Sequence, residues 1–287
     1  TSEGTAFSLT IGPKVEKIPE YAFICGRVTG DLVIPDSVTE IGSRAFYRSP
    51  NIASVSLGDG LTSIGEYAFC DCSGIETLTF GSADLSIGEC AFCNCSGIAS
   101  LTIPANVKSI GNYAFNGMTS LTEVVFNANI VGHDGSIFSD SAAACRVTFG
   151  DGVTAVPAYL FNGCSTLETV VFNDDIEEMG RYAFYQNGLT SLEFPDSLTT
   201  ISDYAFVGCY DLESIVIPTT VEMIANTAFN GLTFLDTHGT FLSHNAECLS
   251  GHVFTGSGGT LEMAAYGFTF DTLGGPEVPE RFGIPGT

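Results

Sequence analysis

The chain has 287 residues, 45% hydrophobic and 15% charged, a composition that excludes a disordered tail. Its 33 acidic and 9 basic residues give a net charge of -24. With no basic stripe to neutralise phosphates, nucleic acid and direct attraction to anionic lipid are excluded as modes of action. No apolar run reaches the ~18 residues of a membrane span, so direct membrane insertion is not expected. Thr1 is not preceded by a leader pattern, which reads as a mature or trimmed form.

Residues 5–11 alternate as a strand does, with Leu9 and Ile11 facing one way. The pair returns as Leu32 and Ile34, Val55 and Leu57, Leu78 and Phe80, and so on to Ile215 and Ile217. Each recurrence predicts one short strand, and strands repeated at constant polarity stack in parallel. Pro35, Pro104, Pro195 and Pro218 follow directly and end the strand, because proline donates no ladder hydrogen bond.

Next comes an inward apolar residue, such as Val38, Leu61 or Val107, and then a segment typified by Ile110-Gly111-Asn112-Tyr113-Ala114-Phe115. Its Phe recurs at 23, 46, 69, 92, 115, 138, 161, 184, 206 and 229, a step of 23 broken once by a step of 22. A fixed period of that length marks a solenoid. Ala precedes the Phe in eight of the ten units, which implies a site where only a methyl fits. The Ala, the Phe and the residue three beyond it suit one face of a short helical turn, with Gly or a small polar residue at its start. A last apolar residue, such as Ile75 or Leu121, leads into the next strand.

The resulting unit, L-x-x-L-x-I-P-x-x-V-x-x-I-G-x-x-A-F-x-x-C, resembles the leucine-rich repeats of the BspA-like class across roughly residues 5–232. The resemblance implies an α/β, right-handed leucine-rich-repeat solenoid. Its mostly parallel β-sheet would lie on the concave side and its short helical turns on the convex side. It also implies a bacterial surface or secreted protein, in a family whose members include adhesins and host-matrix binders.

Two units depart from the pattern. In the sixth, His133 takes the Ile position and Ile137 the Ala position, which reads as a repacked loop or as a bulged edge that contacts a ligand. The eighth is one residue short, and Gly188 is expected to close the gap at positive φ. After Phe229 the period fails, and His238 and Thr240 stand where apolar residues belong. The domain reading is therefore a solenoid over 1–232, a capping segment over 233–273 that can contain antiparallel strands, and a Pro/Gly-rich tail over 274–287.

Ten cysteines need an account. Cys72, Cys95, Cys164 and Cys209 share the third place after the repeat Phe and read as compact buried filler. Cys70, Cys90 and Cys93 are not explained by the repeat. A metal site would need four converging ligands, yet two of the five thiols in this stretch are committed to the interior. Rung spacing permits a Cys70–Cys93 disulfide while parallel side-chain directions oppose it, so free thiols are the favoured reading. His244, Cys248 and His252 are spaced to align on a helix and form a weak metal candidate, which Gly251 argues against. No nucleophile elbow, phosphate loop or zinc-protease motif occurs, so neither an enzyme nor a cofactor is expected.

The outward strand positions are the natural contact surface. The first half is a ladder of Ser and Thr, which also simply favour strands. The second half adds Glu123, Val125, Arg146, Thr148, Thr169, Val171, Ser191, Glu193, Ser214 and Val216, the candidate binding residues. The functional expectation is a monomeric, extracellular or cell-surface interaction and adhesion module for a protein or glycan partner, host surface or matrix included. The alternative is a structural spacer of the cell envelope.

Overall fold

The computed structural model describes residues 5–139, 141, 145–212, 214–218, 220–225, 227–229, 233–235, 241–243, 252–255 and 262–263. The chain forms two compact units, residues 1–150 and residues 151–287.

In the first unit each rung contributes strands to two parallel ladders. One ladder runs through Lys17–Ile18, Glu40–Ile41, Ser63–Ile64, Leu85–Ile87 and Val107–Ile110. The other comprises Gly30–Val33, Ile52–Ser56 and Thr77–Thr79, and then the run Ser100–Ile103, Glu123–Phe126 and Cys145–Phe149. The register places Leu101 beside Val124 and Val124 beside Val147, so like positions of successive repeats are neighbours. The predicted inward residues Leu32, Val55, Leu78, Leu101, Val124 and Val147 are all buried.

The second unit repeats this arrangement. Ala155–Val156, Glu178–Met179, Thr200–Ile201 and Met223–Ile224 form a parallel ladder. Ser191–Glu193 pairs in parallel with Ser214–Val216. Leu167–Val171 is a further strand of this unit. Beyond it the polarity changes. Thr233–Leu235 pairs antiparallel with Phe241–Ser243, and His252–Thr255 lies antiparallel between Ser214–Val216 and Glu262–Met263. The rest of the expected capping segment, and all of the expected tail, lie outside the described residues.

The repeat phenylalanines form the core. In the first unit the rings from Phe23 to Phe138 stack with centroids 5.0 to 5.5 Å apart and planes within 17°. In the second, Phe161, Phe184, Phe206 and Phe229 stack at 6.2, 5.4 and 5.3 Å. Rungs ~4.8 Å apart bring these rings into the range of favourable aromatic stacking. The preceding Ala45, Ala68, Ala91 and Ala114 have no solvent-exposed surface, as the methyl-only reading required.

The expected helical turns are absent: no helix occurs among the described residues. The hydrogen bonds supply the reason. In the third repeat Ala68, Cys70 and Cys72 donate three residues back, to Gly65, Tyr67 and Phe69, at 3.2–3.3 Å. The alternate N–H groups, of Tyr67, Phe69 and Asp71, donate to Glu89, Ala91 and Cys93 of the next rung at 2.7–2.9 Å. A helix keeps every such donor within its own segment, whereas here half of them join neighbouring rungs. Turning those donors outward puts Tyr67 at φ 56° and Asp71 at φ 61°. The same left-handed value recurs two residues before the Phe at Tyr21, Arg44, Cys90, Tyr113, Tyr159, Tyr182 and Tyr204. Ala, Phe and Cys do share one buried face, as predicted, but on a chain of linked turns.

The glycine that opens this segment also has a different role from the one expected. A Cβ on Gly65 would lie 2.5 Å from the Ser43 amide nitrogen, and one on Gly42 equally close to that of Glu20. Glycine is there because the rungs touch backbone to backbone. Gly188 likewise would meet the Ser165 carbonyl, and it has no positive φ.

Candidate interaction surface

On the strands Ser100–Ile103, Glu123–Phe126 and Cys145–Phe149, alternation sends Leu101, Val124 and Val147 inward and the intervening side chains outward. Glu123 is in register with Ser100 on one side and Arg146 on the other, and Val125 lies between Thr102 and Thr148. Ser100, Thr102, Glu123 and Arg146 are exposed, while Val125 and Thr148 are half-buried. The structure thus brings together four of the ten predicted residues on one face of the first unit, in a block of hydroxyl, acid, base and methyl groups.

In the second unit Ser191 pairs with Ser214 and Glu193 with Val216. Ser191, Glu193 and Thr169 are exposed and Val171 is half-buried. Thr169 and Val171 sit on Leu167–Val171.

Other cations of the first unit lie on the Lys17–Ile18 ladder or on the turns and are engaged locally. Lys17 pairs with Glu40 at 2.6 Å, Arg48 with Asp71 at 3.4 Å and Lys108 with Asp84 at 3.4 Å. The Arg44 guanidinium lies 4.6 Å from the Tyr67 ring centroid and 5.9 Å from that of Tyr21. These pairs are exposed and add little to stability, but they leave the strand face with its own charge pattern.

The sixth repeat turns its irregularity outward. Val131 is 77% exposed and Gly132 has φ 74°. His133 is half-buried, with Nε2 2.6 Å from the Gly135 carbonyl oxygen. Burial pulls the His133 imidazole below its ordinary pKa, against the opposing carbonyl contact and Asp134.

The cysteines divide as the repeat does. Cys72, Cys95, Cys164 and Cys209 are buried. They are more than filler. The thiols of Cys72, Cys95 and Cys209 donate to the carbonyl oxygens of Phe46, Phe69 and Phe184 one rung back, at 3.1, 3.2 and 3.0 Å. Ser141 and Asn187, in the same column, donate to Phe115 and Phe161 at 2.9 Å each. The sequence carried a signal for this, since Cys, Ser and Asn are all donors, and sequence reasoning passed over it. It also passed over the tyrosines two places before the Phe. Tyr159, Tyr182 and Tyr204 stack at 4.8 and 4.6 Å, with Arg181 5.1 Å from the Tyr182 ring.

No group of three or more His, Cys, Asp or Glu suited to hold a metal occurs among the described residues. Of the weak metal candidates, His244 and Cys248 lie outside the described residues, and His252 opens the strand His252–Thr255. No described helix is long and apolar enough to cross a membrane.

Parallel rungs of constant length, closed around a ladder of apolar side chains, define a leucine-rich-repeat protein. The family model for the BspA type leucine rich repeat region, in 6 copies, matches residues 16–145 and 136–258, and the chain belongs to that family. Among solved structures, a leucine-rich repeat protein of T. pallidum is 22% identical, covering 73% of this chain and 79% of its own, with a TM-score of 0.45. One from Bacteroides ovatus is 22% identical over 75% of this chain and 67% of its own, with a TM-score of 0.41. The pneumococcal vaccine antigen PcpA is also 22% identical, over 79% and 72%, with a TM-score of 0.41. No curated protein matches the chain.

Proposed function

We propose that this protein is an extracellular or cell-surface interaction module whose strand face holds a protein or glycan partner, host surface or matrix included. Membership of the BspA-type family supports the surface role. The observation that carries the reading is the block around Glu123 and Arg146. There an acid and a base stand in register on an exposed face, flanked by Ser100 and Thr102 on one strand and Thr148 on the other. The backbone of this face is already fixed by strand pairing, so ordering it on binding costs only the side-chain freedom of residues such as Glu123 and Arg146. Ser191 and Glu193 offer an exposed hydroxyl and an exposed acid in the second unit. The protein acts as a monomer in this reading.

The test is capture on a panel of immobilised extracellular-matrix proteins and a glycan array, first with the intact chain. The triple variant Glu123→Ala, Arg146→Ala, Glu193→Ala should then lose capture while its thermal unfolding stays unchanged. Saturable capture that survives the triple substitution would place binding elsewhere, and no capture at all would remove the adhesive role.

A further inference from the structure

Cys70, Cys90 and Cys93 are clustered thiols that neither the repeat nor the strand face employs. Cys70 and Cys93 each follow their repeat Phe by one residue, so they occupy like positions on neighbouring rungs. The Asp71 amide, next to Cys70, donates to the Cys93 carbonyl at 2.8 Å, which fixes these rungs against each other. Adjacent rungs place the two Cα atoms about 4.8 Å apart, inside the roughly 4.4–6.8 Å that a disulfide spans. Cys90 shares the turn of Cys93, whose amide donates back to its carbonyl at 3.1 Å.

The three thiols differ in exposure and role. Cys70 and Cys90 are 5% and 8% exposed, whereas Cys93 reaches the surface in part. Burial pushes the Cys90 thiol above its ordinary pKa, against the opposing Tyr67 hydroxyl. The Cys93 thiol donates to Asn116 Oδ1 at 3.7 Å. Donation from Cys70, seconded by Cys90, pulls the Cys93 thiol below its ordinary pKa, against partial burial and the Asp71 carboxylate. The Cys70 thiol is pushed far up, because it holds its proton to serve Cys93 and is buried beside Asp71. A part-exposed thiol beside a buried one at the like position of the neighbouring rung is the arrangement of a reactive cysteine with a resolving neighbour.

We infer that Cys93 is a thiol-modification site that reacts with small-molecule disulfides and closes onto Cys70 as a cross-rung disulfide. The Cys93 thiolate attacks one sulfur of the reagent, forming a mixed disulfide and releasing one small thiolate. Cys70 gives up its proton and attacks the Cys93 sulfur, which breaks the mixed disulfide and expels the second small thiolate. Two protein thiols are oxidised by two electrons, and the reagent disulfide is reduced to two thiols that keep the two protons. Closure would tie the third rung of the Phe stack to the fourth.

The test uses the intact, reduced chain, oxidised glutathione, quenching by acid and peptide mapping. Cys93 should form the mixed disulfide faster than the exposed Cys25, and the mapped product should be Cys70–Cys93. In Cys70→Ser the glutathione adduct on Cys93 should accumulate, and in Cys93→Ser the cluster should stay reduced. Asn116 and Ser139 hold the equivalent position in later rungs, so both serine variants suit the fold, and circular dichroism verifies it. Slower reaction at Cys93 than at Cys25 would overturn the site. Closure onto Cys90 in place of Cys70 would overturn the pairing.

Discussion

The Cys95 thiol donates to the carbonyl oxygen of Phe69, one rung back, at 3.2 Å. That contact adds a side-chain bond to a carbonyl that otherwise accepts only from the Cys72 amide, at 3.3 Å. Asn187 makes the same contact to Phe161, at 2.9 Å, but its amide oxygen is buried with no hydrogen-bond partner. An orphaned buried acceptor costs about 1–3 kcal/mol. Asn187→Cys keeps a donor and removes the orphan, so urea unfolding should shift to higher denaturant. Asn187→Ala loses the donor as well and opens a void, so it should unfold earlier than Asn187→Cys.

Phe92 has no exposed surface and stacks between Phe69 and Phe115 at 5.2 and 5.5 Å, with planes 2° from parallel on both sides. Phe92→Ala should therefore cost about 3–5 kcal/mol, the range for truncating a buried aromatic. Phe23 is half-exposed and stacks on Phe46. Phe23→Ala should cost clearly less, and chemical denaturation of the two variants side by side checks the order.

Gly65→Ala presses a methyl against the Ser43 amide nitrogen, a backbone atom that cannot rotate away. The rungs would have to separate locally, lengthening the bond from the Gly65 amide to the Ile41 carbonyl, now 2.7 Å. Thermal unfolding should fall by several degrees, roughly 1–3 kcal/mol for an overpacked site. Gly12→Ala, where nothing lies within 4 Å of the added carbon, should leave it unchanged.

His133 has a depressed pKa because it is half-buried. The unfolded chain therefore binds a proton more readily than the folded one. The stability tied to neutral His133 is complete above the ordinary imidazole value of 6.5 and is lost as pH falls through the lower folded value. Urea midpoints measured from pH 8 to pH 5 should fall further in the parent than in His133→Gln. Equal falls would remove His133 from the account.

The period alone made the solenoid legible. Leu101, Val124 and Val147 share a face because a strand alternates and because their repeats are each 23 residues long, both readable without coordinates. The turns were not legible. Gly-x-x-Ala-Phe satisfies helical spacing, and the alternative appears only when Tyr67 and Phe69 can reach carbonyls 22 residues ahead. Propensity describes one segment, and these donors are satisfied by another. The strand-face candidates followed from alternation, so Glu123 and Arg146 were placed correctly as outward neighbours. What Cys95 does for Phe69 was hidden because the acceptor is a main-chain atom, identical in every residue.

The Phe-ladder bonds join positions one repeat apart. The Arg44 amide binds the Glu66 carbonyl at 2.9 Å, and Phe46 binds Ala68 at 2.8 Å. Excising residues 66–88 would present Arg44 with Glu89 and Phe46 with Ala91, the same residue types in the same places. A gene built this way can gain or lose copies by unequal recombination without any flanking codon having to change. Repeat number is then a trait that selection can adjust in whole steps.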